Sequence, residues 1–256
     1  MGARGYADGM DDRSPPGWYV ISLRPRGEHE ALRRAAARRG AGLIALSPWR
    51  LRLRDDDATR NALASALAAP VVLVTSPVAV RAAAALSPLR QAPGQQWYAV
   101  GSGTARALHR AGVTQVQAPS RMDSEGLLAM PGLQSLQDVE IGFISAPGGR
   151  GLLVPSLQSR GARVLRADVY EREAVVPPAR AIAQLRRAAA PIALALSSGE
   201  ALQLALAALP ADALARLRQS RVLAASERLA TMAREHGFTD VTVARGPGPG
   251  DLLDAR

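Results

Sequence analysis

The chain repeats itself, and the repeat limits the fold more than any other feature of the sequence. Ile141 to Val164 matches Val20 to Leu43 at a shift of 121 residues, setting Leu153 on Leu32 and the helix-ending Gly161 on Gly40. Ala230 to Val241 matches Ala105 to Val116 at a shift of 125, with Gly237-Phe238-Thr239-Asp240-Val241 on Gly112-Val113-Thr114-Gln115-Val116. The closing Leu252-Leu253 falls on Leu127-Leu128. Between these, Leu194-Ala195-Leu196-Ser197-Ser198 has the character of Leu73-Val74-Thr75-Ser76, an apolar run ending in adjacent hydroxyls. The order A-B-C-A′-B′-C′ is what duplication of one domain leaves, and each copy must bury the same faces as its twin.

Each repeated unit is a strand followed by a helix. Trp18 to Leu23 predicts a strand, Arg24-Pro25-Arg26-Gly27 a turn, and Glu28 to Arg39 a helix closed by Gly40. Leu43 to Leu46 and Val71 to Val74 predict further strands, the second ending at Thr75-Ser76-Pro77 before the helix Val80 to Leu86. Trp97 to Val100, the turn Gly101-Ser102-Gly103-Thr104 and a helix ending at Gly112 make the third unit. Strands alternating with helices predict parallel sheets covered on both faces, and duplication predicts two of them: an α/β fold of two similar three-layer, flavodoxin-like domains. Two stretches break the rhythm, Pro48 to Arg54 and Ala167 to Val176. Both alternate polar and apolar as exposed strands do, each follows an A-type unit, and together they predict two linkers running side by side.

Composition removes whole classes of chemistry. There is no Cys, which excludes disulfides, thiolate metal sites, iron–sulfur clusters and Cys nucleophiles. There is no Lys either, so the 32 basic side chains are all Arg and Schiff-base chemistry is excluded. His29, His109 and His236 stand far apart without ligand spacing, each reading as a solvated helix-surface side chain, so no metal is expected. The longest apolar runs are strand-length, well under the ~20 residues of a membrane span. Residues 1–16 lack the apolar segment of a secretory signal and read as a disordered leader, which places the chain in the cytoplasm. The formal charge of +10 attracts polyanions or a small polycarboxylate, while dispersed, solvated arginines would give the same figure.

Hydroxyls gather after the strands, at Thr75-Ser76, Ser102 and Thr104, Ser197-Ser198 and Ser226. Ligands of parallel sheets sit at the carboxyl ends of strands, so these residues form a candidate ligand mouth shared by both halves. Each is also an ordinary helix cap, and both readings stand. The Gly-rich turns at Gly101-Ser102-Gly103-Thr104 and Gly148-Gly149-Arg150-Gly151 offer backbone N–H groups to anions but lack the spacing of a dinucleotide or ATP site.

Taken in order, Leu23-Arg24-Pro25, Val72 to Val80, Val100 to Leu108 with Gly112, Ser124 to Leu128, Gly148 to Leu157 with Gly161, Val169-Tyr170-Glu171-Arg172 and Leu196-Ser197-Ser198 resemble the uroporphyrinogen-III synthase family over residues 18 to 255. The resemblance implies two α/β domains joined by a two-stranded ladder, with the halves exchanged: residues 17–47 and 177–256 form one domain, 56–167 the inserted one, and 48–55 and 168–176 the linker strands. It implies closure of hydroxymethylbilane, with no metal or organic cofactor, into uroporphyrinogen III. The implied substrate-binding residues are Arg24, Thr75, Ser76, Gly101, Ser102, Thr104, Arg150, Ser197, Ser198, Ser226 and Arg228. Tyr170 matches the family's linker tyrosine and is the implied acid, with packing in the ladder as its other reading. The implied partners are the bilane and, for its hand-over, hydroxymethylbilane synthase; no nucleic acid or membrane is expected, and the chain acts as a monomer. Two departures stand out. Ala225-Ser226-Glu227-Arg228-Leu229 lacks the Gly and Thr that Gly101 and Thr104 supply in the other half, and Val78 stands where some relatives have Arg. A catalytically degenerate domain that binds a tetrapyrrole or another polyanion is the alternative these departures keep open, and a basic nucleic-acid binder is a third reading.

Overall fold

The computed structural model describes residues 16–148 and 151–256; the expectations for the leader up to Ser14-Pro15 and for Arg150 fall outside them. Along the chain run β1 (Trp18–Ser22), α1 (Glu30–Ala37), β2 (Ala41–Ala45), β3 (Trp49–Leu53), α2 (Asp57–Ala68), β4 (Val71–Val74), α3 (Pro77–Leu86), β5 (Gln96–Ala99) and α4 (Ser102–Arg110). Then come β6 (Val116–Gln117), α5 (Ser124–Leu128), β7 (Glu140–Ser145), α6 (Leu153–Ser159), β8 (Arg163–Asp168) and β9 (Tyr170–Ala174). The chain closes with α7 (Ala179–Arg187), β10 (Ile192–Leu196), α8 (Gly199–Ala208), α9 (Ala211–Arg218), β11 (Arg221–Ala224), α10 (Glu227–Glu235), β12 (Val241–Val243) and α11 (Pro249–Asp254). None of the described helices is long and apolar enough to cross a membrane.

The described residues divide into two compact units, those up to Arg50 with Ala174–Arg256, and those within Leu51–Glu173. The first, discontinuous unit holds the sheet β12-β11-β10-β1-β2 and the second, inserted unit the sheet β6-β5-β4-β7-β8. All pairings within both sheets are parallel. Each sheet thus takes its first two strands from an A-type unit and the other three from B- and C-type units of the opposite half of the chain. Counted from the A-type strand, both have the doubly wound order 2-1-3-4-5. The strands β3 and β9 form a separate two-stranded sheet. The expected second linker begins later than the sequence suggests, because β8 continues through Ala167 and Asp168, pairing them with Ile144 and Ser145.

Strand alternation builds the layers. In β4, Val72 and Val74 face Leu63, Ala79, Val80 and Trp97, while Val71 and Leu73 face Leu127, Leu133, Leu153 and Leu157. In β10, Ile192, Leu194 and Leu196 pack with α7, α8 and α9, and Ala193 and Ala195 with α1 and α11. A strand buried on both faces has no polar side to show, which is why these segments read as continuous apolar runs. Each fully buried Val or Leu contributes about 1.5–3 kcal/mol through removal of apolar area from water. The helix-ending glycines that stay in step across the repeat, Gly40 with Gly161 and Gly112 with Gly237, all have positive φ, between 66° and 99°. A left-handed residue ends a helix at little cost only when it lacks a Cβ, so the repeat preserved a backbone requirement.

Helix α2 lies so close on β7 that a Cβ at Gly142 would meet the Ala66 carbonyl oxygen at 1.9 Å. Backbone cannot yield as a flexible side chain does, so Gly142→Ala is expected to cost about 3 kcal/mol or more. Gly17→Ala, where a Cβ meets nothing within 4 Å, is expected to leave the thermal midpoint nearly unchanged. Equal midpoints for the two variants in a melting experiment would contradict this packing.

Candidate active site

In the inserted unit the chain leaves β4 for α3, which packs with Trp97 and Leu63 on one face of the sheet. It leaves the neighbouring β7 for α6, whose Leu153 and Leu157 pack on the other. Helices departing to opposite faces leave a crevice at the carboxyl ends of the two strands between them, the place where such sheets bind ligands. A cavity of about 450 Å³ occupies it, lined by residues that include Thr75, Ser76, Phe143, Ser145, Arg166, Tyr170 and Arg172.

Local rules place each group. Ser76 is the N-cap of α3, its Oγ accepting from the Ala79 N–H at 3.1 Å, with Pro77 opening the helix. The same Oγ lies 3.3 Å from the phenolic oxygen of Tyr170, which is buried at 7% exposure. Thr75 follows β4 directly and donates through Oγ1 to Ser145 Oγ at 3.0 Å. Tyr170 opens β9, and alternation sets it on the same side of the chain as Arg172. Arg166 is held from three sides: Nε lies 3.0 Å from each Asp168 carboxylate oxygen, Nη2 donates to Ala146 O at 3.2 Å, and the guanidinium carbon is 6.0 Å from the Phe143 ring centre. Among the described residues lining the cavity two are arginines and none is Asp or Glu. The arrangement offers a phenolic O–H, three neighbouring hydroxyls and two guanidinium groups.

The discontinuous unit has the matching crevice between β1 and β10, since α1 and α8 pack on opposite faces. It encloses about 130 Å³ and is lined by residues that include Arg24, Trp49, Ser197 and Ser198. Ser198 Oγ caps α8 by accepting from the Ala201 N–H at 3.3 Å, Ser197 is exposed, and the indole N–H of Trp49 donates to Leu23 O at 2.8 Å. Burial holds the Arg24 guanidinium below its ordinary pKa, partly offset by Glu28. This is a partly desolvated cation set at a strand's carboxyl end.

The two crevices gather Thr75, Ser76 and Tyr170 in one and Arg24, Ser197 and Ser198 in the other. The remaining candidates among the described residues lie elsewhere. Gly101 caps α4 through backbone alone, Ser102 Oγ lies 3.4 Å from Met122 Sδ, and Thr104 is buried at 4% exposure. Ser226 begins α10 without a side-chain cap bond, and Arg228 is exposed. Neither group lines its unit's crevice. Sequence reasoning missed Ser145, Phe143, Arg166 and Arg172. The alternation seen from Ala167 onward, carried back one residue, puts Arg166 in step with Tyr170 and Arg172 along the chain, but only the pairing of β8 with β7 brings it to the crevice.

His29 corrects another expectation: it is not a solvated helix-surface residue but is buried at 8% exposure. It precedes α1 beneath the ends of β1 and β2, with Nδ1 2.9 Å from Ser22 Oγ and Nε2 2.8 Å from Ser47 Oγ. Both serines are fully buried, and the imidazole is the polar partner that satisfies them there. Among the described residues no group of three or more His, Cys, Asp or Glu side chains could hold a metal ion.

A family model described as uroporphyrinogen-III synthase HemD matches residues 30–254. The uroporphyrinogen-III synthase of Escherichia coli K12 is 34% identical over 161 residues, 62% of this chain and 65% of that protein, so the matched stretch spans just under two thirds of the relative's length. The Salmonella typhimurium LT2 enzyme of the same name is 34% identical over 173 residues, 64% of this chain and 70% of that one. The fold is shared with two solved structures. A uroporphyrinogen-III synthetase from Helicobacter pylori 26695 superposes with a TM-score of 0.59 at 13% identity, over 93% of this chain and 96% of that one. A mutant uroporphyrinogen III synthase from the extremely thermophilic bacterium Thermus thermophilus gives 0.56 at 21% identity, over 92% and 96%.

Burial lowers the His29 pKa from its ordinary 6.5, with the Arg33 and Arg24 cations acting in the same direction and Glu28 against them. The unfolded chain therefore takes up a proton before the folded one does. His29 contributes full stability above about pH 6.5 and loses it as the pH falls through the lower, folded-state value. Melting curves between about pH 5 and pH 7.5 are expected to show the wild type losing stability toward acid and His29→Gln losing less over this range. Parallel curves would contradict a buried, neutral imidazole.

Proposed function

Because the chain belongs to the uroporphyrinogen-III synthase family, whose model spans residues 30–254, we propose that it closes hydroxymethylbilane to uroporphyrinogen III in the cytoplasm, inverting ring D and releasing water as a hydro-lyase. The observation that carries this reading is the buried Tyr170 phenol beside Ser76, in a crevice lined by two arginines and no carboxylate among the described residues. A linear tetrapyrrole with eight carboxylates needs positive walls, hydroxyl partners and one proton donor where its hydroxyl leaves.

In this reading the Tyr170 O–H donates to the departing ring-A hydroxyl, which leaves as water and yields an azafulvene cation. Ring D attacks through its substituted carbon, and the spiro intermediate fragments and recloses with the ring inverted. The proton lost when the new ring–ring bond rearomatises restores the phenol, so one water leaves and no net proton is consumed. Ser76 and Thr75 hydrogen-bond pyrroles or carboxylates. Arg24, Arg150, Ser102, Ser197, Ser226 and Arg228, with the backbone N–H groups at Gly101 and Ser198, are the further candidates for the bilane's acetates and propionates. The cation forms readily, so much of the catalytic effect is orientation: holding the chain so that inversion outruns direct closure. A single chain acts alone and receives the bilane from the synthase that makes it.

A coupled assay checks this: hydroxymethylbilane generated in place, this protein added, the products oxidised and the type I and type III uroporphyrins separated. Type III is expected to dominate, with Tyr170→Phe lowering its rate roughly tenfold to a hundredfold, the worth of one hydrogen bond to a group gaining charge. Type I alone, at the rate seen without protein, would contradict the enzyme reading and favour a degenerate domain that only binds.

A further inference from the structure

We propose that Arg166 is a substrate-binding residue, the fixed cation that receives a carboxylate of the tetrapyrrole in the inserted unit; this rests on the reading of the crevice given above. No motif pointed to Arg166, and its assignment comes from how the fold holds it.

A long, flexible arginine on a surface contributes little, because ordering it costs side-chain entropy. Arg166 is itself exposed, but its guanidinium is already held. Nε is engaged by both oxygens of Asp168, Nη2 by the Ala146 carbonyl, and the guanidinium carbon stands 6.0 Å from the centre of the Phe143 ring. Those contacts use two of the three nitrogens. Nη1 has no hydrogen-bond partner among the described residues, and the residue lines the cavity. A planar cation with one edge satisfied and the other open is suited to a carboxylate, since the incoming anion need not freeze the side chain.

The surroundings sharpen the choice of ligand. Asp168 balances the charge of Arg166, so the wall is not an undirected positive field but a donor held at a fixed place, with Arg172 lining the same cavity. Phe143, Val100 and Leu153 line the same cavity, and the exposed Leu152 stands on its lining at 38% exposure. Apolar surface beside an open guanidinium fits a flat aromatic ring carrying an acidic arm, which a phosphate or a free inorganic anion would not use.

Fluorescence titrations of the whole 256-residue chain with uroporphyrin III, which carries eight carboxylates, test the assignment. Arg166→Gln is expected to weaken uroporphyrin binding about tenfold to a hundredfold, the effect of one charge-assisted hydrogen bond. The same variant should raise KM for hydroxymethylbilane similarly while leaving kcat within about twofold, the pattern of lost uniform binding. Arg163→Gln removes a cation from the same strand at an exposed site paired with Glu140, and is expected to change neither quantity by more than about twofold. Arg166→Lys keeps the charge without the planar fork and is expected to fall between wild type and Arg166→Gln; it also serves if the Gln variant does not fold. Equal effects of Arg163→Gln and Arg166→Gln, or wild-type affinity in Arg166→Lys and Arg166→Gln alike, would overturn the assignment. A wild type that yields only the type I isomer yet binds uroporphyrin through Arg166 would sink the enzyme reading and leave this one standing. Type III formation with no dependence on Arg166 would do the reverse.

Discussion

Two parallel strands lie side by side while the helices that follow them leave for opposite faces, and in each unit the candidate chemistry sits where that happens. At β4 and β7, and again at β1 and β10, the chain cannot cover the carboxyl ends of both strands at once, because it has to travel away from the crevice in two directions. What remains there is backbone N–H groups, helix caps and whatever side chains the first residues after each strand supply. Burial drives the sheet, but the order of its strands decides where the protein is left open.

That constraint explains why capping and ligand binding are so hard to separate at these positions. The serine that ends a strand must satisfy an orphan N–H of the next helix, and Ser76 and Ser198 both do so. Capping uses one lone pair of the hydroxyl oxygen and leaves its proton and the other lone pair free. Ser76 directs that remainder to Tyr170. A cap is therefore no argument against a role at the site: it fixes the oxygen that the phenol then meets.

The strands, the helices and their duplicated order were legible in the sequence because both-face burial writes apolar runs and left-handed helix ends demand glycine. The family resemblance, rather than the periodicity, supplied the exchange of strands between halves: pairing across a hundred or more residues leaves no local trace. Half of the candidate site was legible for the same reason that caps are, since Thr75, Ser76, Ser197 and Ser198 sit at fixed offsets from strand ends. Gly101, Ser102, Thr104, Ser226 and Arg228 obey the same offsets but follow β5 and β11, which are not the diverging strands, so an offset alone could not rank them. Ser145 and Arg166 were hidden because their importance depends on which strand lies next to which. His29 misled because three sparse histidines in an arginine-rich chain look solvated, whereas burial here depends on two serines that flank it only in space.

Duplication gave both units the same opening, but not the same contents. In the inserted unit the crevice of about 450 Å³ carries Tyr170, three hydroxyls and two arginines. In the other, Trp49 and Leu23 are among the lining of a crevice of about 130 Å³, and its cation is the partly desolvated Arg24. Residues after a strand are free to change because they sit outside the hydrogen-bonded ladder, whereas the strands and their glycines are held by packing. The shared backbone therefore accounts for where each opening is, and the divergence of a handful of strand-end and ladder side chains accounts for what each can do. A buried phenol in one crevice and a partly desolvated cation in the other are the outcome expected when two copies of one scaffold are relieved of keeping the same side chains.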